Sequence, residues 1–158
     1  MVKILLLVIG NTDKKYMKEG IDDYVKRIPF YVPFEMKIIP DLKNRSSLSL
    51  DLQKEKEGQL ILNQVSTGDF VVLLDEHGEE FTSAGFSGWI EKKMIAGTRQ
   101  LVFVIGGPYG FSNMVYQRSD IKIALSKLTF SHQMVRLIFV EQVYRAMTII
   151  KNEPYHHE

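Results

Sequence analysis

Apolar residues along this chain follow two rhythms. Unbroken runs, "ILLLVI" at 4–9, "FVVLL" at 70–74 and "LVFVI" at 101–105, suit strands covered on both faces. They predict strands over 2–9, 69–74 and 101–105. "FEMKII" at 34–39 alternates loosely like a further strand, and "IKIAL" at 121–125 like a fifth. Between these runs the spacing lengthens. Met17, Ile21, Tyr24, Val25 and Ile28 predict a helix over 13–28, after which Pro29 and Pro33 bracket a break. Leu48, Leu52, Leu60 and Leu62 predict a long polar helix over 47–65, whose charged middle, "DLQKEKEG", reads as a solvated face. Helices are also predicted over about 83–96, 111–118 and 131–151, the last followed by the tail "NEPYHHE".

Strand and helix alternate throughout, which gives an α/β class with a mostly parallel sheet of about five strands flanked by helices. No linker, repeat or low-complexity stretch divides the chain, so residues 1–158 are expected to form one domain. Ligands of such sheets sit outside the carboxyl ends of the strands. Leu74 and Asp75, the glycines at 106, 107 and 110, and the segment from Ser126 to Phe130 all fall at such ends.

Composition narrows the classes. There are no cysteines, so no disulfide framework or cysteine zinc site forms, and a cytoplasmic location is expected. The apolar start is far shorter than a membrane span and lacks a small-residue cleavage pattern, so no membrane role is expected. Twenty Lys and Arg against nineteen Asp and Glu give a net charge of +1, which argues against a strongly basic nucleic-acid binder. Positive charge is still concentrated late in the chain, where Arg118, Lys122, Lys127, Arg136, Arg145 and Lys151 face only Asp120 and Glu141. That excess suits either ordinary solvated surface or a local basic face.

The turn "GGPYG" at 106–110 lacks both the Walker pattern and the G-x-G-x-x-G of a dinucleotide site. Pro108 removes an amide donor, so the turn favours an uncharged group such as adenine or ribose over an anion. A tight strand-to-helix turn without any ligand is the other reading.

"FVIGGPYGF", "ALSKLTFSHQMVRLIFVEQVYRA", the "LLD" strand end and the closing "YHH" together resemble the small SPOUT-class methyltransferases that act on N3 of a pseudouridine in large-subunit (23S) ribosomal RNA. The resemblance spans nearly the whole chain. It implies a C-terminal trefoil knot, a rare exception to unknotted topology. It also implies S-adenosylmethionine as cofactor, a homodimer, and ribosomal RNA or the ribosome as partner. Carried onto this sequence, the cofactor contacts are Leu74, Gly106, Leu125, Ser126, Lys127, Leu128, Thr129 and Phe130, and the tail residues Tyr155 and His156 lie near the substrate base.

Methyl transfer from a sulfonium needs no metal, and the four histidines show no ligand spacing. The acceptor nitrogen must lose a proton, which a nearby cation favours and a neutral His or a hydroxyl relays. His132, Arg136, Arg145, Tyr155 and His156 are the candidates, the first three as RNA contacts. Each has a plainer reading: Glu141 and Arg145, at i, i+4, form an intrahelical ion pair, His132 is a satisfied structural histidine, and the tail is untethered. The last helix is apolar almost all round, from Met134 to Ile150, and so must be covered on more than one side, by a second subunit or within the monomer. A non-catalytic ribosome- or RNA-binding module of the same fold is the second functional reading. A flavodoxin-like nucleotide binder is the third, disfavoured by the missing phosphate motifs.

Overall fold

The computed structural model describes residues 2–157, so Met1 and Glu158, the two ends of the expected domain, lie outside the described residues. Five strands form one sheet: β1 (Lys3–Ile9), β2 (Phe34–Ile39), β3 (Phe70–Glu80), β4 (Gln100–Ile105) and β5 (Ile121–Ala124). All pairings are parallel, in the order β2-β1-β4-β3-β5. Four α-helices connect them, α1 (Lys15–Arg27), α2 (Leu50–Leu62), α3 (Ser83–Ile95) and α4 (Asn113–Arg118), and α5 (Met134–Ile150) follows β5.

The unbroken apolar runs are explained by two cores. Ile4, Leu6, Val8, Val72, Leu101, Phe103 and Ile105 point to the side of α1, α3 and α5, whereas Leu5, Leu7, Val71, Leu73, Val102 and Val104 point to the side of α2 and α4. Helix starts are set by local hydrogen bonds. The side-chain oxygens of Ser49, Thr82 and Ser112 accept from Leu52 N, Gly85 N and Val115 N, a capping contribution of about 1 kcal/mol each.

Two expectations are corrected. β3 does not stop at Leu74. It bulges over residues 75–78 and pairs with β5 again, so that Leu74 and Glu79 both lie opposite Ile123. Gly78 makes this second pass feasible, because a Cβ there would lie 2.6 Å from the backbone N of Ile123 and the carbonyl carbon of Lys122. The charged run of α2 is not wholly solvated either. Gln53 and Glu57 are buried, while Glu55 and Lys56 stay exposed. Among the described residues no helix is long and apolar enough to cross a membrane.

Candidate functional site

Strands β4, β3 and β5 lie side by side, so their carboxyl ends open onto a common cavity of about 510 Å³. Its apolar wall is formed by Leu74, Ile105, Ile123, Leu125 and Phe130, and its polar wall by Asp75, Ser126, Thr129 and His132. The glycine turn forms one lip. Gly107 and Gly110 pair across it, and Gly110 adopts φ 84°, a conformation that glycine takes without strain. Gly106 is sterically required, since a Cβ would lie 2.9 Å from Cε1 of Phe111, whose ring also lines the cavity.

Asp75 is the charged group of this cavity with the best-defined partners. Its carboxylate accepts from Tyr116 OH at 2.6 Å and from His77 N at 2.8 Å. Burial pushes its pKa up, but these two hydrogen bonds and the nearby positive charge of Lys122 together hold it below the usual carboxylate range. Tyr116 responds in the opposite sense, pushed up to about 12 by burial and by Asp75. An ionised Asp75 takes hydroxyl or ammonium donors and repels phosphate. With the donor-poor glycine turn, this fits a nucleoside whose ribose and amino-acid end carry such donors, and it does not fit a nucleotide. The volume lies within the range of small-molecule sites.

The residues assigned to cofactor binding are brought together here. All of them except Lys127, which is exposed, line this cavity. His132 lines it too, and burial together with the nearby Arg136 charge lowers its pKa, which favours the neutral ring. The expected RNA contact of Arg136 is corrected. Arg136 is fully buried and donates to Ile9 O (2.6 Å), Gly10 O (2.9 Å) and Thr12 Oγ1 (3.1 Å), pinning the turn after β1.

Arg145, Tyr155 and His156 are grouped elsewhere. Arg145 pairs with Glu141 at 2.6 Å, reaches His156 Nδ1 at 3.0 Å and lies over the Tyr155 ring at 4.8 Å. Tyr155 OH donates to Glu141 at 3.2 Å and lies 3.3 Å from Tyr24 OH, so the tail is tethered rather than loose. Within one chain none of these residues lines the cavity. Val135 lines the cavity, and Glu141 and Arg145, six and ten residues further along α5, stand about 9 and 15 Å away at helical rise.

A second cavity, of about 330 Å³, adjoins the first and shares Gly107, Pro108, Tyr109 and His132 with it. It opens where the chain order reverses between β1 and β4, and Asp13, Asp41, Arg45, Gln53 and Glu57 line it. Sequence reasoning missed these residues. The available signal was spacing: Gln53 and Glu57 stand at i−8 and i−4 from Ile61, the buried apolar position of α2. Among the described residues no group of three or more His, Asp or Glu side chains is placed to hold a metal ion.

A family model described as "Predicted SPOUT methyltransferase" matches residues 2–156. The chain is 60% identical over 157 residues, 99% of this chain and 100% of the relative, to "Ribosomal RNA large subunit methyltransferase H" of Parabacteroides distasonis. Proteins of the same name from Phocaeicola vulgatus (57% identical, 99% and 100% covered) and Christiangramia forsetii (59% identical, 98% of each chain covered) are similarly close. Among solved structures, a probable methyltransferase from Bordetella pertussis Tohama I superposes with a TM-score of 0.52 at 7% identity, covering 92% of this chain and 93% of that one. That likeness concerns the fold alone.

Proposed function

The chain belongs to the SPOUT methyltransferases, and from that premise we propose that it transfers a methyl group from S-adenosylmethionine to N3 of a pseudouridine in 23S ribosomal RNA. It is a ribosomal RNA large-subunit methyltransferase, as its full-length relatives are named. The proposal takes residues 1–158 as one cytoplasmic domain, with the trefoil knot of its family near the C-terminal end of the sheet. The observation that carries the cofactor assignment is the convergence of Leu74, Gly106, Leu125, Ser126, Leu128, Thr129 and Phe130 on one cavity beside an ionised Asp75.

When bound, the cofactor supplies an electrophilic methyl carbon on a sulfonium. The chain's own residues do the rest. Leu74, Ile105 and Leu125 offer an apolar slot for a purine ring, and Asp75 accepts hydrogen bonds from hydroxyl or ammonium groups. Gly106 lets the backbone approach closely, and Tyr109 and Leu128, exposed at the rim, shield the slot from water. Holding two reactants in line in this way is worth up to about 7–11 kcal/mol in well-oriented cases.

The active form in this proposal is a homodimer, with Tyr155 and His156 of one copy serving the cavity of the other. Its support is that apolar side chains of α5, Met134, Leu137, Ile138 and Ile149 among them, stay only half-buried within one chain, while the tail cluster does not line that chain's own cavity.

Calorimetric titration with S-adenosylmethionine, followed by a methyl-transfer assay on large-subunit RNA read by nucleoside mass spectrometry, tests the reading. The expected result is saturable binding, weakened at least about tenfold by Gly106→Leu, and appearance of 3-methylpseudouridine. RNA binding with steep salt dependence but no cofactor affinity would instead assign the chain to a non-catalytic module.

A further inference from the structure

The cavity between β1 and β4 has no part in holding the cofactor as assigned above, yet α2 turns a carboxylate into it. Glu57 is only 7% exposed, and burying a carboxylate is costly unless its partners compensate. The partners are modest: a hydrogen bond from Gln53 and the more distant charge of Arg45, which is itself paired with Asp41 at 3.0 Å. The other acids of the cavity are accounted for by cations, since Asp13 and Asp41 both act on the buried charge of Arg136. Glu57 lies directly against the turn that separates the two cavities, and a Cβ on Gly107 would lie 3.0 Å from Glu57 Oε1. A planar ring in the second cavity would therefore present one edge to Glu57 and lie beside the first cavity, with only Gly107–Tyr109 and His132 between.

Resting on the methyltransferase reading, we propose that this second cavity seats the uracil ring of the target nucleotide and that Glu57 accepts its N3 proton. In the step, the N3–H bond breaks as its proton passes to the Glu57 carboxylate. The nitrogen lone pair forms the bond to the methyl carbon, and the carbon–sulfur bond breaks, its electron pair returning to sulfur as a neutral thioether. Glu57 then releases the proton to water through the open cavity. The lining suits a neutral base rather than its phosphate: Asp13 from the β1 turn, Asp41 from the β2 end and Glu57 from α2 face Arg45. A base flipped into this cavity leaves its backbone outside, as enzymes acting on single bases require.

The electrostatics suit the task. Burial and then Asp41 raise the Glu57 pKa, against the lowering effects of Gln53 and Arg45, and a carboxylate raised toward neutrality is the stronger base. His132 and Gln133, ahead of α5, complete the lining, and the glycine turn brings no charge.

The test is single-turnover methyl transfer from pH 5 to 9 with Glu57→Gln and Glu57→Asp in the full chain, alongside cofactor titration. Glu57→Gln is expected to slow transfer about 10²–10⁴-fold with cofactor affinity within about threefold of wild type. The wild-type rate should rise with pH and level off once Glu57 is ionised, whereas the Gln variant should keep rising with hydroxide, and the Asp variant should keep the plateau at a reduced rate. As a readout independent of turnover, pseudouridine nucleoside added to protein loaded with S-adenosylhomocysteine should shift the amide resonances of Gly10 and Gly107. A Gln variant as fast as an active wild type, or one that loses cofactor binding instead, overturns the inference. Wild-type protein that binds no cofactor and transfers no methyl group would strike the function on which the inference rests.

Discussion

Replacing Arg136 with Met would show how much of the site depends on one buried cation. Met nearly fills the volume, so the packing loss is small, and the effect comes from Ile9 O and Gly10 O, which lose donors at 2.6 and 2.9 Å. Each buried carbonyl left without a donor costs about 1–3 kcal/mol. Part is recovered, because the guanidinium is itself held at a desolvation cost, its pKa lowered by burial, and its Nε has no hydrogen-bond partner among the described residues. The net expectation is a loss of about 2–4 kcal/mol, a large share of a typical stability of about 5–15 kcal/mol. Urea unfolding followed by the fluorescence of Trp89, the sole tryptophan, measures it, at fixed protein concentration because a dimer's stability depends on concentration. Arg136→Lys should recover only part of the loss, since one ammonium does not span both carbonyls. Unfolding of Arg136→Met within about 0.5 kcal/mol of wild type would refute the argument, because surface changes fall in that range.

Gly78→Ala drives a Cβ to 2.6 Å from the backbone of β5, so it should cost about 1–3 kcal/mol of stability and, because residues 75–77 and 123–124 line the cavity, weaken cofactor binding in calorimetry. Tyr155→Ala should leave cofactor affinity unchanged and cut methyl transfer. Mixing it with Gly106→Leu protomers should restore activity in part, because a mixed dimer regains one cavity served by an intact tail; failure to complement would argue against the tail acting across the dimer.

The legible parts of the fold are those where burial writes directly into hydropathy. β1 and β4 are covered on both faces, and their continuous apolar runs located them almost to the residue. The second pass of β3 was not legible, because "DEHGEE" pairs at a sheet edge where no apolar pattern is needed, and only Gly78 hints at it. The cavity at the ends of β3, β4 and β5 was legible because strand ends carry glycines and short polar segments, whereas its reading as a cofactor seat came from the resemblance. Arg136 and Glu57 were misread for one shared reason. Each is a charged residue whose burial depends on a distant part of the chain: the β1 turn for Arg136, 126 and 127 positions away, and the glycine turn for Glu57. Spacing along a helix reports which face a residue occupies, and not what that face meets.

Helix α5 ties these pieces into one argument about assembly. Near its start it carries Val135 on the first cavity and Arg136 on the β1 turn that lines the second cavity, and near its end Arg145 holds Tyr155 and His156. Along a straight helix Glu141 and Arg145, which hold the tail, stand about 9 and 15 Å beyond Val135, and the tail as bound in one copy does not line that copy's cavity. To serve the cavity as proposed, either the tail detaches, breaking the Arg145–His156 and Tyr155–Glu141 hydrogen bonds, or a second copy packed against α5 presents its own tail. The two routes differ in concentration dependence: transfer by a detaching tail is indifferent to dilution, whereas transfer served by a second copy falls once the protein is diluted below its dimer dissociation constant.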